Sequence, residues 1–333
     1  MARRGPRRAT CQTEAMTEAE PPTVAGGSLT VLIALGSNLL VAIAKTVASV
    51  ITGSASMVAE TAHSWADFGN EIFLLIADRR STKARDEPHP LGYGREAYVW
   101  SMIAAFGIFT AGSIVSISHG IQQLIAPEDA TNFGIAYLVL TVSFLLESFS
   151  FAQAFRQARR GGIDRGTSAG VYALTSSNAT LRAVFAEDAA ALVGLLIAFL
   201  GILLHQLTAL AVFDSIGSIL VGVLLGGVAV VLIDRNRRFL VGEMPDARLR
   251  NEVLRRLLDQ PEIDRVTYLH LEFVGPGRVF LVASVDIVGD DTETHVAYSL
   301  RRIEETLTRS EHIQEALLSL STPDEASLDP DRP

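Results

Sequence analysis

The sequence predicts an α-helical membrane protein: six transmembrane helices followed by a small cytoplasmic α+β domain in the order αββαβ. Three observations carry that fold class. Of the 333 residues, 49% are hydrophobic and mean hydropathy is +0.31, more apolar than an ordinary soluble domain. The apolar residues gather into six stretches that approach or exceed the ~20 residues needed to span a hydrocarbon core as helix. After Arg238 the long stretches stop, and short helical and strand periodicities alternate instead.

The chain opens with Met1–Thr10, Arg-rich but without an apolar core, so residues 1–27 read as a disordered cytoplasmic arm rather than a secretory signal. A targeting presequence is the alternative, and Met16 is a second credible start. Residues 28–238 form the six-helix transmembrane domain. Its spans are Leu29–Ile51, Ala55–Ile76, Tyr98–Ile125, Phe133–Phe155, Ala183–Leu207 and Leu210–Ile233. Ionisable groups strongly interrupt only the second. Arg79, Arg80, Lys83, Arg85 and Arg95 follow the second span, Arg156, Arg159, Arg160 and Arg165 the fourth, and Arg235, Arg237 and Arg238 the sixth. The other three connections hold no Lys or Arg, which places both termini in the cytoplasm. A plasma or bacterial inner membrane is the expected host.

Residues 239–320 form the α+β domain. Asp246–Gln260 and Glu293–Arg309 have a helical period, Val266–Phe273 and Val279–Ile287 alternate as strands, and Ile313–Leu320 supplies a third strand. Gly275–Gly277 is the turn between the first two strands. Residues 321–333 are acidic and contain proline, the composition of a disordered tail. Cys11 is the only cysteine, so neither an internal disulfide framework nor a Cys-based metal cage is available. The net charge of −9 averages basic loops with an acidic tail and identifies no partner; nucleic acid is not expected.

The second span, "AETAHSWADFGNEIF", carries the functional signal. As a helix it aligns Glu60, His63, Asp67 and Asn70 on one face, with Glu71 adjacent and Val58, Trp65 and Ile72 opposite. An ionised carboxylate at mid-membrane costs at least ~2.5 kcal/mol, so such a stripe needs water, a cation or a partner helix. Interhelical hydrogen bonding is the bland reading. His63 and Asp67 at i,i+4 suit a divalent transition metal, which takes nitrogen and oxygen donors. The fifth span offers further donors in "RAVFAEDAAALVG", where Asp188 is the first choice and Glu187 the second. Adjacent positions lie ~100° apart, so one points at the site and the other flanks it. A helix-start role beside Arg182 is the alternative for this acidic pair. Lys45 and Glu147 could pair, hydrate or snorkel. Asp214 reads as a dipole partner at the start of its own helix, and His119 and His205 as interfacial residues.

"SNLLVAIAKTVASVITGSASMVAETAHSWADFGN" and "HPLGYGREAYVW" resemble the helix one–two region and the third-helix entry of the cation diffusion facilitator (zinc transporter) family. The resemblance runs from about Leu29 to Leu318 and is closest to the zinc transporter 9-like subgroup. It implies a homodimer that exports divalent cations in exchange for protons, with a metallochaperone-like cytoplasmic dimerisation domain. It assigns His63, Asp67 and Asp188 to the transport site. The family's usual His four residues before the last of these is Val184 here, while Glu187 and Asn70 stand nearby. One nitrogen donor and three or four oxygen donors result, which shifts preference toward Mn²⁺ or Fe²⁺ without excluding Zn²⁺, the first choice. In the tail, His270 and His295 are candidate regulatory ligands or ordinary surface residues, and His89 in the 80–95 loop reads as a loop-fixing residue.

The expected activity is proton-coupled metal export, not enzyme catalysis; no Walker motif suggests ATP drive. A non-transporting membrane scaffold and a monovalent cation/proton antiporter using Asp67 and Asp188 are the competing readings.

Overall fold

The computed structural model describes residues 28–127, 130–289 and 291–330. The expected arm at 1–27 lies outside them. The membrane part comprises α1 (Ser28–Thr52), α2 (Ala55–Ser81), α3 (Glu96–Ala104), α4 (Thr110–Ile125), α5 (Phe133–Asp164), α6 (Ala169–Thr175), α7 (Ala179–Thr208) and α8 (Val212–Val241). A π-helical turn at Ala105–Phe109 joins α3 to α4 in one continuous rod.

Among the described residues, five helices are long and apolar enough to cross a membrane: α1, the α3–α4 rod, α5, α7 and α8. The sequence predicts six. The difference is α2, which at 27 residues reaches roughly 40 Å but carries Glu60, His63, Asp67, Asn70 and Glu71. It packs against α1, α3, α4, α7 and α8, which enclose its polar face. Trp65 and Ile72, on the opposite side, are exposed.

The start of α2 is fixed from across the bundle. Ser54 caps it, its Oγ accepting from Met57 N at 3.2 Å. The Asp214 carboxylate of α8 then accepts from Ser54 Oγ at 2.9 Å, Ala55 N at 2.7 Å and Ser56 N at 3.0 Å. Those amides are among the donors a helix start leaves unpaired. Asp214 therefore serves the dipole of α2 as well as standing in the first turn of its own helix, a role that sequence adjacency does not reveal. Farther along α2, Gly69 meets the π turn: a Cβ there would stand 2.7 Å from Ile108 Cδ1, so the missing side chain lets the helices approach closely.

The C-terminal domain follows as α9 (Ala247–Leu258), β1 (Ile263–Gly275), β2 (Arg278–Ile287), α10 (Glu293–Thr308) and β3 (Ile313–Leu320). The sheet order is β1-β2-β3, with β1 and β2 antiparallel and β2 and β3 parallel. Parallel pairing requires a crossover, which α10 supplies. Leu254 and Leu257 of α9, and Ile303 and Leu307 of α10, bury against Val266, Leu271, Leu281 and Val285. The same core continues into Tyr98 of α3 and Phe239 of α8, whose rings stack at 5.0 Å.

Residues 321–330 depart from the expected disorder. Leu328 N donates to Val266 O at 2.7 Å, Arg265 Nη1 to Glu325 O at 2.7 Å, and Thr267 Oγ1 to Glu325 Oε2 at 2.8 Å. β1 is an edge strand whose free backbone groups need cover, and the tail provides it.

Candidate metal centre

The polar stripe of α2 faces into the bundle. Glu60, His63 and Asn70 are buried, and only 17% of the Asp67 side chain is exposed. His63 Nε2 lies 3.4 Å from Asp67 Oδ2, as one helical turn dictates. Neither ring nitrogen of His63 has a hydrogen-bond partner, nor do Asp67 Oδ1 and Asn70 Oδ1. An unsatisfied buried polar atom costs about 1–3 kcal/mol, so four along one helix face suit water or a cation. A cation with nitrogen and oxygen ligands fits that donor set.

α7 meets this face one turn farther along. Asn70 Nδ2 donates to Glu187 Oε1, so the Glu187 carboxylate closes on α2. Asp188 lies about 100° further round and accepts instead from Ser150 Oγ of α5 at 2.7 Å. The sequence ranks Asp188 ahead of Glu187; the structure gives Glu187 the direct bond to α2 and Asp188 the flank. Asn178 caps α7 through a bond from Leu181 N at 3.0 Å, so both acids sit two turns inside the helix. Arg182 turns the other way, donating to Ser176 O and to Asn236 Oδ1. The helix-start alternative for these acids thus loses its basis.

The seam holds two donor pairs, His63 with Asp67 and Asn70 with Glu187, rather than one closed cage. Among the described residues no three His, Cys, Asp or Glu side chains gather closely enough to ligate one ion. Glu71 is diverted to α1, where it accepts from Asn38 Nδ2 at 3.0 Å.

Three partners escape sequence reasoning. Lys45 Nζ pairs with Glu60 Oε2 at 2.9 Å, although Glu147 is the partner sequence offers. Glu60 is already on the α2 face, and the α1–α2 hairpin brings Lys45 to it. Ser150 gives no signal in an apolar helix. His205, in the last turn of α7, is buried against Phe133, with ring centroids 5.6 Å apart.

Outside the bundle, His89 fixes its loop. Its Nδ1 lies 2.9 Å from Asp86 Oδ1 and its ring stacks on Tyr93 at 4.1 Å. The Tyr93 hydroxyl donates to Asp86 Oδ2 at 2.6 Å. That bond, with help from His89 and Lys83, pulls the Asp86 carboxyl down to about 2. In the C-terminal domain His270 and His295 contact single carboxylates, Glu272 at 3.8 Å and Asp291 at 3.6 Å.

Comparison with known proteins agrees with this architecture. Residues 31–241 match the family described as cation efflux transmembrane domain. The chain is 36% identical over 259 residues to metal tolerance protein C4 of Arabidopsis thaliana, covering 78% of this chain and 57% of that one. It is 31% identical over 264 residues to the human protein named proton-coupled zinc antiporter SLC30A9, mitochondrial, covering 79% and 46%. A shorter match, 30% over 107 residues, reaches magnetosome protein MamB of Magnetospira sp. (strain QH-2), covering 32% of this chain and 36% of that one. The chain thus spans about half the length of the first two relatives. With a family match across most of its length, and with its polar helix enclosed by apolar ones, the chain belongs to the cation diffusion facilitator (cation efflux) family, on its zinc transporter 9-like side.

Proposed function

We propose that this chain is a secondary carrier that exports a divalent transition metal, zinc first, in exchange for protons. The ion is taken by the two donor pairs of the α2–α7 seam, His63 with Asp67 and Asn70 with Glu187, which draw together around it, with Asp188 beside them. The observation that carries this reading is the fully buried His63 imidazole, without a hydrogen bond at either nitrogen and with Nε2 3.4 Å from the Asp67 carboxylate. In this reading α2 is the sixth span, its polar face covered by its neighbours.

Proton coupling follows from the donors. Protonating a liganding imidazole or carboxylate removes the lone pair that holds the metal, so protons and metal compete for one site. With the seam open toward the cytoplasm, neutral His63 and ionised Asp67 take the cation. With it open outward, protons replace the metal and return with the empty site. Rocking about a mid-membrane site is the common geometry for such carriers. The basic loops support a topology with both termini in the cytoplasm. A homodimer joined through the C-terminal domain, in a plasma or bacterial inner membrane, completes the assignment; the mitochondrial label of the animal relatives offers the other location.

One observation favours a second substrate. A set with a single nitrogen donor and otherwise oxygen is harder than a two-histidine site, which suits Mn²⁺ and Fe²⁺. Flux of Zn²⁺, Mn²⁺ and Fe²⁺ into proteoliposomes under an imposed pH gradient tests both. His63→Ala and Asp67→Ala should each abolish flux while leaving protein in the membrane. Unchanged flux in either variant overturns the site, and site-independent metal binding without flux supports a scaffold.

A further inference from the structure

α5 is the least covered of the five apolar spans. It packs on α1, α6 and α7, and its buried residues, Ala136, Leu140, Ser143, Ala154 and Ala158 among them, share one side. The opposite side carries Leu138, Leu145 and Phe149, all exposed, at the spacing of a single helix face. The same spacing continues through Arg156, Arg160 and Ile163, with Arg159 beside them, and these four are exposed too. The stripe that meets acyl chains thus runs straight into three guanidinium groups. Among the described residues none of the three forms an ion pair. Arg165, by contrast, pairs with Asp246 at 3.8 Å, and Arg237 and Arg238 pair with Asp234 at 3.1 and 3.2 Å. Between Glu147 and Glu187 the sequence holds a single acid, Asp164.

The height of the cluster fits a headgroup. About 20 helical residues cross the hydrocarbon core, so from Phe133 the core ends near Ala152, and Arg156–Arg160 lie about 6–12 Å farther along. Their Cα–Cβ bonds tilt toward the helix N-terminus, back toward the bilayer, which brings the guanidinium groups to the phosphate layer. We propose that this face of α5 binds an anionic glycerophospholipid, its acyl chains along Leu145 and Phe149 and its phosphate held by Arg156, Arg159 and Arg160. Guanidinium groups take phosphate oxygens in bidentate fashion. A zwitterionic headgroup brings its own cation into the cluster, so a net negative one is preferred. The site is independent of the cargo: it requires α5 to span the bilayer, not His63 and its neighbours to hold a metal.

Native mass spectrometry of the full chain, titrated in micelles with phosphatidylglycerol or phosphatidylcholine, reads bound lipid directly. The first phosphatidylglycerol should bind at least ~10-fold more tightly than phosphatidylcholine, and Arg156→Gln/Arg159→Gln/Arg160→Gln should lose that advantage. The matching triple Lys variant should keep most of it. So should Arg248→Gln/Arg301→Gln/Arg309→Gln, which removes the same charge from exposed positions of the C-terminal domain. Should the triple Gln variant fail to insert, Arg160→Gln alone is expected to cut the advantage about 3-fold. No advantage in the unsubstituted protein, or an advantage undiminished in the Gln variants, overturns the inference. Displacement of the lipid by inorganic phosphate at matched ionic strength would make this a site for free anions and overturns the lipid assignment. A dimer lost in the triple Gln variant with lipid binding unchanged would give the face to a second copy, and overturns it as well.

Discussion

At the scale of single residues, the α2–α7 seam turns on which acid of α7 faces α2. Asn70 bonds Glu187, and Ser150 takes Asp188 at 2.7 Å. In the proposed site Glu187→Gln should weaken Zn²⁺ binding by about 10–100-fold and Asp188→Asn by less, since losing a partner around a metal typically costs that much. Calorimetric titration of the two variants checks the ranking, and the reverse order returns Asp188 to first place. Periodicity could show that one acid points in and the other flanks, but the choice between them depends on the rotation of α7 about its own axis. Ser150 sets part of that rotation, and nothing marks it in sequence. A second residue-scale prediction concerns the loop. Asp86 is held at about 2, chiefly by the Tyr93 hydroxyl, below the ordinary value near ~3.9. A depressed folded-state value makes the carboxylate stabilising above pH ~4, a contribution lost as pH falls through ~4 toward ~2. Hydrogen exchange of His89 and Gly92 amides should therefore quicken over that window, and Asp86→Asn should remove the pH dependence.

At the scale of elements, α2 shows how a polar helix is kept inside an apolar bundle. Its N-terminus is tied to α8 by three bonds to Asp214, and its middle approaches the π turn at Gly69. Replacing Asp214 with Ala orphans two backbone amides and a hydroxyl, which should cost at least ~2 kcal/mol of stability. Thermal unfolding in detergent measures it, and an unchanged midpoint would show that water replaces the carboxylate. The Gly-Ser-x-Ser run before α2 is legible as a turn and helix start. Its partner 160 residues away is not, because Asp214 equally suits the first turn of its own helix. The polar stripe itself was plain from spacing, whereas hydropathy alone leaves α2 outside the spanning class.

At the scale of the whole molecule, the C-terminal domain is seated on the bundle. Phe239 of α8 lies between Tyr98 of α3 and Phe273 of β1, and Arg95 pairs with Glu272. The loop before α3 comes so close to β1 that a Cβ at Gly94 would meet the Val274 carbonyl and stand 2.8 Å from Gly275 Cα. These are backbone atoms with little room to yield. Gly94→Ala should cost about 1–3 kcal/mol and expose the domain junction to limited proteolysis, while an unchanged cleavage pattern would count against a fixed seat. The domain's strands and helices follow from their periodicity, but its docking depends on shape at glycines that give no periodic signal. The ordered 321–330 segment is a similar case: its acidic composition signals disorder, and only the bare edge of β1 explains why it is held. In the proposed carrier a single imidazole and surrounding oxygens in the α2–α7 seam hold the cargo. X-ray absorption at the zinc edge of the loaded protein tests it most directly. One imidazole nitrogen with oxygen neighbours at about 2.0–2.2 Å, the nitrogen signature lost in His63→Ala, is the predicted result; an imidazole signal that survives His63→Ala would contradict it.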